Sequence, residues 1–471
     1  MIFNICTTPE NIELFSPCIK TAQTIFWTNK FCSVGNIFSN MSIAMKIIVL
    51  TIVLLFQQFL SSFSFAQGEA ALPFLEIPTN AEMNGMGYAS VAHITDNPAA
   101  LTTNPAHLGL QCLNNSIFTA GANYSNWLPS FHLDLWTRTI TTTAGLNLNK
   151  IYLQLPSLSV GISYSNVYMN FGEFVRTGPD SPDIITTFNS HDESNQVTLS
   201  IAADYFVRAS IGITYKHITS TLSDQPTAGD PGNGSATANL YDLGFLVDVP
   251  VVTLISKIID KPISVYDKIS PLFNFSLGIS KSNLGQESIY YIDPAQGDPL
   301  PRLAHAGIGL AFGLQYDQKD ISWIPFSFKW TVEANDLCVT TNSSGNSVYQ
   351  PGLGDIDFLK EIILGKTKKE TDQLKGWELN LAETVYIYGG RFLEDPDHGN
   401  RNFTTDGYAV SFSGLLKTLA VIKPDLFENN FMKFVLNHIG LKFNQSTVNT
   451  PASILNDTQF YSLNISFNNW L

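Results

Sequence analysis

Histidines, carboxylates and cysteines are the side chains of this 471-residue chain with the most chemistry to offer. The eight histidines (His93, His107, His132, His191, His217, His305, His398 and His438) stand singly along the chain. None forms the HExxH pair that places two metal ligands on one helix face. No Gly-x-Ser-x-Gly elbow presents a serine nucleophile, and no glycine-rich loop cradles a phosphate. Cys112 and Cys338 sit in no CxxC or Cys/His cluster, so neither a zinc site nor a redox pair is indicated. A disulfide between these two remains open in an oxidising compartment. Asp204, Asp242 and Glu333 fall on the polar faces of strand-like runs, where the common fate of a carboxylate is solvation or pairing with a cation such as Arg208 or Lys329. The chain therefore reads as a non-enzyme without cofactor or metal.

The elements that carry these residues are strands. Leu158, Val160, Ile162 and Tyr164 alternate with Ser159, Gly161, Ser163 and Ser165. Val197, Leu199, Ile201 and Ala203 alternate with Thr198, Ser200, Ala202 and Asp204, and Phe273, Phe275, Leu277 and Ile279 with Asn274, Ser276, Gly278 and Ser280. Roughly a dozen such runs follow residue 115, each with one apolar face and one polar or small face. The non-apolar face is rich in Gly, Ser, Thr and Asn rather than Lys and Glu, and charged residues make up only 14% of the chain. A soluble protein of this size needs more charge on its surface, whereas a barrel that turns its apolar face to lipid does not. Tyr124, Trp127, Trp136, Tyr164, Tyr168, Tyr316, Trp323, Tyr386 and Tyr388 are candidates for interfacial girdles. The last run, Tyr461 to Asn468, supplies a closing C-terminal strand. The net charge of -14 argues against nucleic acid as a partner.

Lys46, the apolar run Ile47–Phe56 and the small residues up to Ala66 have the order of a secretory signal, with cleavage after Ala66. Its apolar stretch falls short of the roughly 20 residues a spanning helix needs. Residues 1–44, with Cys6, Cys18 and Cys32, are doubtful as translated sequence, because Met45 or Met41 makes the better start. The reading is thus a signal at 45–66, a separate N-terminal segment at 67–114, and an outer-membrane barrel over 115–471. Inserts break the alternation near 220–236, 250–270, 338–376 and 415–430. Val251–Ile269 and Phe358–Gln373 read as helical, with packing against a barrel rim as their expected role.

In the segment before the barrel, Asp96-Asn97-Pro98-Ala99-Ala100-Leu101 and Thr103-Asn104-Pro105-Ala106-His107-Leu108 are near duplicates. Asn suits an N-cap and Pro the first helical position, so two short capped turns are expected. Gly85 and Gly87, with Ala89 and Ala92, let the segment fold compactly, as a plug inside the barrel; the alternative is an N-terminal periplasmic extension.

Here the chain resembles a known family. Phe74-Leu75-Glu76-Ile77-Pro78-Thr79-Asn80-Ala81, then Gly85-Met86-Gly87, then the two Asn-Pro-Ala motifs, look like the opening of the PorV/PorQ proteins. The resemblance continues through Trp127-Leu128-Pro129, Ser282-Asn283-Leu284-Gly285, Asp298–Arg302 and Glu333–Leu337. It implies an all-β, FadL-like transmembrane antiparallel barrel of about 14 strands with an N-terminal plug. It also implies a role in type IX secretion and surface attachment, with secretion-machinery or cargo proteins as partners beside the outer-membrane lipid. The family commonly has glycine after Asn-Pro-Ala, where this chain has His107. The alternative is a FadL-like transporter of a hydrophobic small molecule such as a long-chain fatty acid. It predicts a continuous apolar cavity beside residues 74–110.

Overall fold

The computed structural model describes residues 70–113, 115–130, 135–150, 157–177, 182–223, 234–291, 297–318, 321–341, 347–366, 368–395, 401–450 and 453–469. The signal segment, the upstream extension and its three cysteines lie outside the described residues.

Eighteen strands follow one another among the described residues: β1 (Ile117–Asn126), β2 (Trp136–Asn147), β3 (Ser157–Thr177), β4 (Ile184–Asp204), β5 (Arg208–Thr221), β6 (Ser235–Pro250), β7 (Ile269–Gly285), β8 (Ser288–Ile289), β9 (Asp298–Pro299), β10 (Leu303–Gln318), β11 (Ile321–Leu337), β12 (Val339–Thr341), β13 (Ser347–Tyr349), β14 (Asp372–Leu381), β15 (Val385–Leu393), β16 (Asn402–Ser411), β17 (Ile439–Asn449) and β18 (Gln459–Asn468). Fourteen of them close into one antiparallel barrel, while β8–β9 and β12–β13 form two small ribbons in loops. Closure runs from Ile117↔Asn468 to Asn126↔Gln459, so the strand carrying Leu463, Ile465 and Phe467 pairs with β1 and no sheet edge stays open.

The two faces of the wall follow the period of two. Outward-facing Ile162, Leu199, Leu243, Phe326, Phe443 and Ile465 are exposed, while inward Thr139, Thr141, Ser163, Ser194, Thr214 and Asn444 are buried. An apolar outside around a polar inside is the arrangement of a barrel set in lipid. At the end away from the C-terminus the outward rings of Tyr124, Trp136, Tyr168 and His191 stack in a ladder of 6.2, 5.3 and 5.1 Å, forming part of an aromatic girdle.

Among the described residues there are five short α-helices, two ahead of β1 and three between strands: α1 (Ala81–Gly85), α2 (His107–Gln111), α3 (Val251–Ile259), α4 (Phe412–Ile422) and α5 (Asn430–His438). The helix expected over 251–269 stops at Ile259, where Asp260 turns left-handed (φ 52°) and Pro262 follows. The one expected over 358–373 shrinks to a single turn, Phe358–Ile363; Gly365 (φ 66°) ends it and strand β14 begins at Asp372. The inserts do not share one end. Residues 251–268 and 412–438 lie at the end that holds the C-terminus, whereas 338–371 connects β11 to β14 at the opposite end. There Leu353, Ile356 and Ile362 cover Ala304, Ala306 and Ala334 on the barrel's outer face.

Candidate functional site

The site is the lumen, which residues 70–113 fill. Helix α1 packs on β15 to β18, α2 on β2 to β5, and the turn Pro98–Thr102 on β1 and β2. Val91 and Ala92 lie against Gly278 of β7 and Gly307 and Gly309 of β10. Met86 lies against Gly376 of β14. This inner segment therefore reaches the wall all the way round. Glycines on the inward face make the approach possible: a Cβ on Gly212 would lie 2.4 Å from the Pro105 backbone, and one on Gly244 would lie 2.1 Å from Asn104 Oδ1.

Hydroxyls of the inner wall hold the segment's backbone. Ser159 donates to the Gly109 carbonyl (2.7 Å), Ser210 to Ala106 (2.6 Å), Ser276 to Ala92 (2.6 Å) and Ser280 to Thr103 (2.7 Å). Thr405 donates to the Gly85 carbonyl (2.9 Å) and accepts from the Gly87 amide (2.8 Å). A segment with little regular structure leaves many backbone groups to satisfy, and a Ser/Thr-lined wall can satisfy them.

Each motif residue has a place. Asn97 caps the 3-10 turn that Pro98 opens, its Oδ1 accepting from Ala99 N at 3.1 Å, while its Nδ2 donates to Asn80 Oδ1 at 2.9 Å. Pro98 faces Gly121 of β1. Asn104 Oδ1 accepts from Ala106 N (3.1 Å) and its Nδ2 donates to the carbonyls of Val91 (3.0 Å) and Phe245 (3.2 Å). The second motif thus differs from expectation. Asn104 closes a turn over Pro105, and α2 starts only at His107, with Ala106 at its N-cap and no side-chain cap. Gly87 adopts φ 65° and lies against Gly390 and Arg391, while Gly85 packs on Tyr388.

Sequence reasoning missed a buried charge network at the centre. His93 Nε2 lies 3.1 Å from Glu82 Oε1 and 3.5 Å from Glu378 Oε2. Lys329 pairs with Glu378 at 3.0 Å and Lys442 with Glu82 at 3.4 Å. Thr95 donates to Glu82 at 2.6 Å. Burial acts to raise the Glu82 pKa, but Lys442 and His93 outweigh it and hold the carboxyl well below its ordinary value. Burial and Lys329 act to lower that of His93, yet Glu378 and Glu82 raise it on balance. Among the described residues, Glu82, His93 and Glu378 are the one group whose ligand atoms converge, within 4.8 Å. Both carboxylates already hold a lysine, so the chemistry is that of an ion-pair lock between segment and wall.

Glu333 makes a second tie, through one oxygen that accepts from the amides of Ser90 (2.6 Å) and Val91 (2.8 Å), with His305 at 3.0 Å from the other. The named cations Arg208 and Lys329 go to Asp248 and Glu378, and Asp242 takes another lumen cation. Asp242 pairs with Lys216 at 2.8 Å and Arg208 with Asp248 at 2.5 Å. His107 is buried and neutral: burial, then the nearby His93, push its pKa down to about 4, and its Nε2 donates to the Ser90 carbonyl at 3.2 Å. Cys112 and Cys338 are free and buried, the first against β2 in the lumen and the second in the cluster on the barrel's outer face. The barrel wall lies between them, so the disulfide left open by the sequence is not formed, and burial raises both thiols to about 12.

Beyond the charge network, toward the end away from the C-terminus, the inward face changes character. Val167, Ile218, Leu374, Phe392, Phe403 and Phe460 replace the hydroxyls and form an apolar collar around Leu72 and Phe74. The Phe392 and Phe403 rings stack at 5.0 Å, and Tyr88 meets them edge-on at 5.6 and 5.3 Å. Phe74, Ile77, Tyr88 and Phe392 share a remaining cavity of about 70 Å³ with Lys216, His305 and Arg401. That is room for a handful of waters while residues 72–78 stay in place. Beside residues 90–110 the segment meets the wall through hydroxyls and through the apolar cluster of Leu101, Leu108, Cys112 and Ile117, so the lumen there is filled, and the apolar cavity expected along residues 74–110 is not continuous.

Fold and lumen together define a fourteen-stranded transmembrane β-barrel of the outer-membrane type, filled by its own N-terminal segment. No protein-family model matches the chain, and no curated protein matches it in sequence. Among solved structures it is similar to the toluene transporter TodX of Pseudomonas putida, at 11% identity and a TM-score of 0.36 over 87% of this chain and 100% of that one. It is also similar to the toluene transporter TbuX of Ralstonia pickettii (10%, 0.32, covering 82% and 97%). A FadL homologue of Pseudomonas aeruginosa is similar too (10%, 0.35, covering 83% and 98%). The likeness is one of barrel architecture.

Proposed function

We propose that this protein is a FadL-like channel of the bacterial outer membrane that admits hydrophobic small molecules, of the size of an aromatic hydrocarbon or a long-chain fatty acid. The observation that carries the reading is the apolar collar. A lumen built only to hold a segment by hydrogen bonds has no use for Phe392, Phe403 and Phe460 on its inward face, whereas a site for an apolar guest does. Leu72, Phe74 and Ile77 occupy that site as a guest would, and the charged groups at the cavity wall, Lys216, His305 and Arg401, are already paired with Asp242, Glu333 and Glu394, which leaves the apolar part of a guest as the part recognised. Passage requires residues 72–78 to yield. The test is binding of a fluorescent polyene fatty acid to the purified protein. Saturable binding that weakens about tenfold or more in Phe392→Asn/Phe403→Asn supports the reading. A wild-type protein that takes up no more probe than empty detergent micelles overturns it.

The secretion-linked reading rests on the PorV/PorQ-like opening residues, from Phe74 to the two Asn-Pro-Ala motifs. On that reading the barrel hands secreted proteins to surface attachment, and its loss leaves them in the periplasm.

A further inference from the structure

The helices at the end that holds the C-terminus carry apolar faces that the described residues leave exposed. On α3, Ile255, Ile258 and Ile259 follow the spacing of one helical stripe and are 43, 73 and 50% exposed. Helix α4 is apolar on two sides. Leu416 and Ala420 pack inward with Phe427, Met432 and Val435, while Phe412, Leu415, Leu419 and Ile422 form a second, exposed stripe. On α5, Phe431 and Phe434 are exposed and no residue is buried. A helix with apolar residues all round is stable only if something apolar covers its outer side.

We propose that α3, α4 and α5 lie in the headgroup–acyl boundary of the leaflet at this end, so that the covering partner is phospholipid. Two observations favour lipid. First, the stripes continue the lipid-facing wall: the Phe434 ring lies 6.2 Å from that of Phe467, an outward residue of β18, and His438 bridges them at 4.7 and 5.7 Å. Beside α3, the Lys257 amine lies over the Phe206 ring at 5.6 Å, next to the exposed Tyr205. Second, lysines stand beside the stripes. Residues 251–268 carry Lys257, Lys261 and Lys268 against two carboxylates, and Lys423 and Lys433 flank the stripes of α4 and α5, while Lys417 is tied to Glu383 at 2.6 Å, in a chain whose net charge is -14. Lysines flanking apolar stripes can reach phosphates while their stems and neighbours stay in the acyl boundary. The barrel is thereby widened at one membrane surface by a collar of interfacial helices. A rim-packing role alone leaves the outer stripe of α4 without a partner.

The test uses the full barrel in nanodiscs of phosphatidylethanolamine and phosphatidylglycerol, with bimane on Ile258→Cys, Ile422→Cys or Phe431→Cys. Ile465→Cys reports the lipid-facing wall and Ser453→Cys an exposed loop at the opposite end. Heat-modifiable migration in SDS confirms that each variant is folded. A nitroxide near the lipid headgroup quenches the three helix positions to within about twofold of Ile465→Cys, and aqueous iodide quenches them about threefold less than Ser453→Cys. Iodide access equal to that of Ser453→Cys, without nitroxide quenching, overturns the proposal. A photo-crosslinking residue at 422 or 431 that captures a protein in native membranes, in place of lipid, overturns it as well.

Discussion

Glu333 is the sharpest place to pull the inner segment from the wall. Its Oε2 accepts from two consecutive amides, at 2.6 and 2.8 Å, in a site closed to water. Glu333→Gln can keep an oxygen at that position, so toward the two amides the change removes the charge assistance of two hydrogen bonds, worth about 1 kcal/mol each. Glu333→Leu removes the acceptor and strands two buried N–H groups, at about 1–3 kcal/mol each. The expected losses are thus about 2 kcal/mol for glutamine and about 4 kcal/mol for leucine. Each 1.4 kcal/mol is about a factor of ten, so local opening of residues 89–92 rises roughly thirtyfold in one variant and nearly a thousandfold in the other. Amide hydrogen exchange on the reconstituted barrel reads this directly, with strand amides as internal controls. Unchanged protection at 89–92 in Glu333→Leu, or equal loss in both variants, refutes the reasoning.

Further outcomes follow from the same contacts. The pKa of His107 is lowered in the fold, so its contribution to stability is full above the unfolded value of 6.5 and is lost as pH falls toward about 4. Inner-segment protection should therefore fall by on the order of 3 kcal/mol across that window, and His107→Gln, which keeps a donor for Ser90, should flatten the part due to this group. Gly212→Val places side-chain atoms where the Pro105 backbone lies, so it should expel the Asn104–Ala106 turn and raise single-channel conductance in planar bilayers; unchanged conductance counts against the close packing. Lys442→Met leaves Glu82 buried without its lysine and should lower stability by about 3–5 kcal/mol, read as a lower temperature for the heat-modified band shift. Cys112→Ser/Cys338→Ser should migrate like the wild type on a non-reducing gel, whereas a shift that appears only in the wild type would reveal a bond.

The barrel was readable because its wall is two-sided. Ile162 beside Ser163, or Leu199 beside Ser200, encodes lipid on one face and something polar on the other, and closure of β18 on β1 follows from the final run. What the polar face holds was not readable. Ser210, Ser276 and Thr405 look like lumen hydroxyls in water, and only the fold brings them to carbonyls more than a hundred positions away. The same distance hides the link from Glu333 to Ser90 and Val91. Asn104 was legible as a capping residue but not as one spanning to Phe245, because the competition between capping and bridging is settled by the wall. The collar did leave a trace: in β3 the inward positions run Ser159, Gly161, Ser163 and Ser165 and then become Val167 and Met169, so the inward face turns apolar at one end while Asn166 and Asn170 flank Tyr168 on the outward face.

The most direct test of the account is uptake by cells of the native host with and without this protein. Entry of a radiolabelled long-chain fatty acid or aromatic hydrocarbon at limiting concentration should drop in the deletion strain. It should return with the wild-type chain and not with Phe392→Asn/Phe403→Asn. Unchanged uptake in the deletion strain, together with secreted surface proteins accumulating in the periplasm, would contradict the channel reading and favour the secretion-linked one.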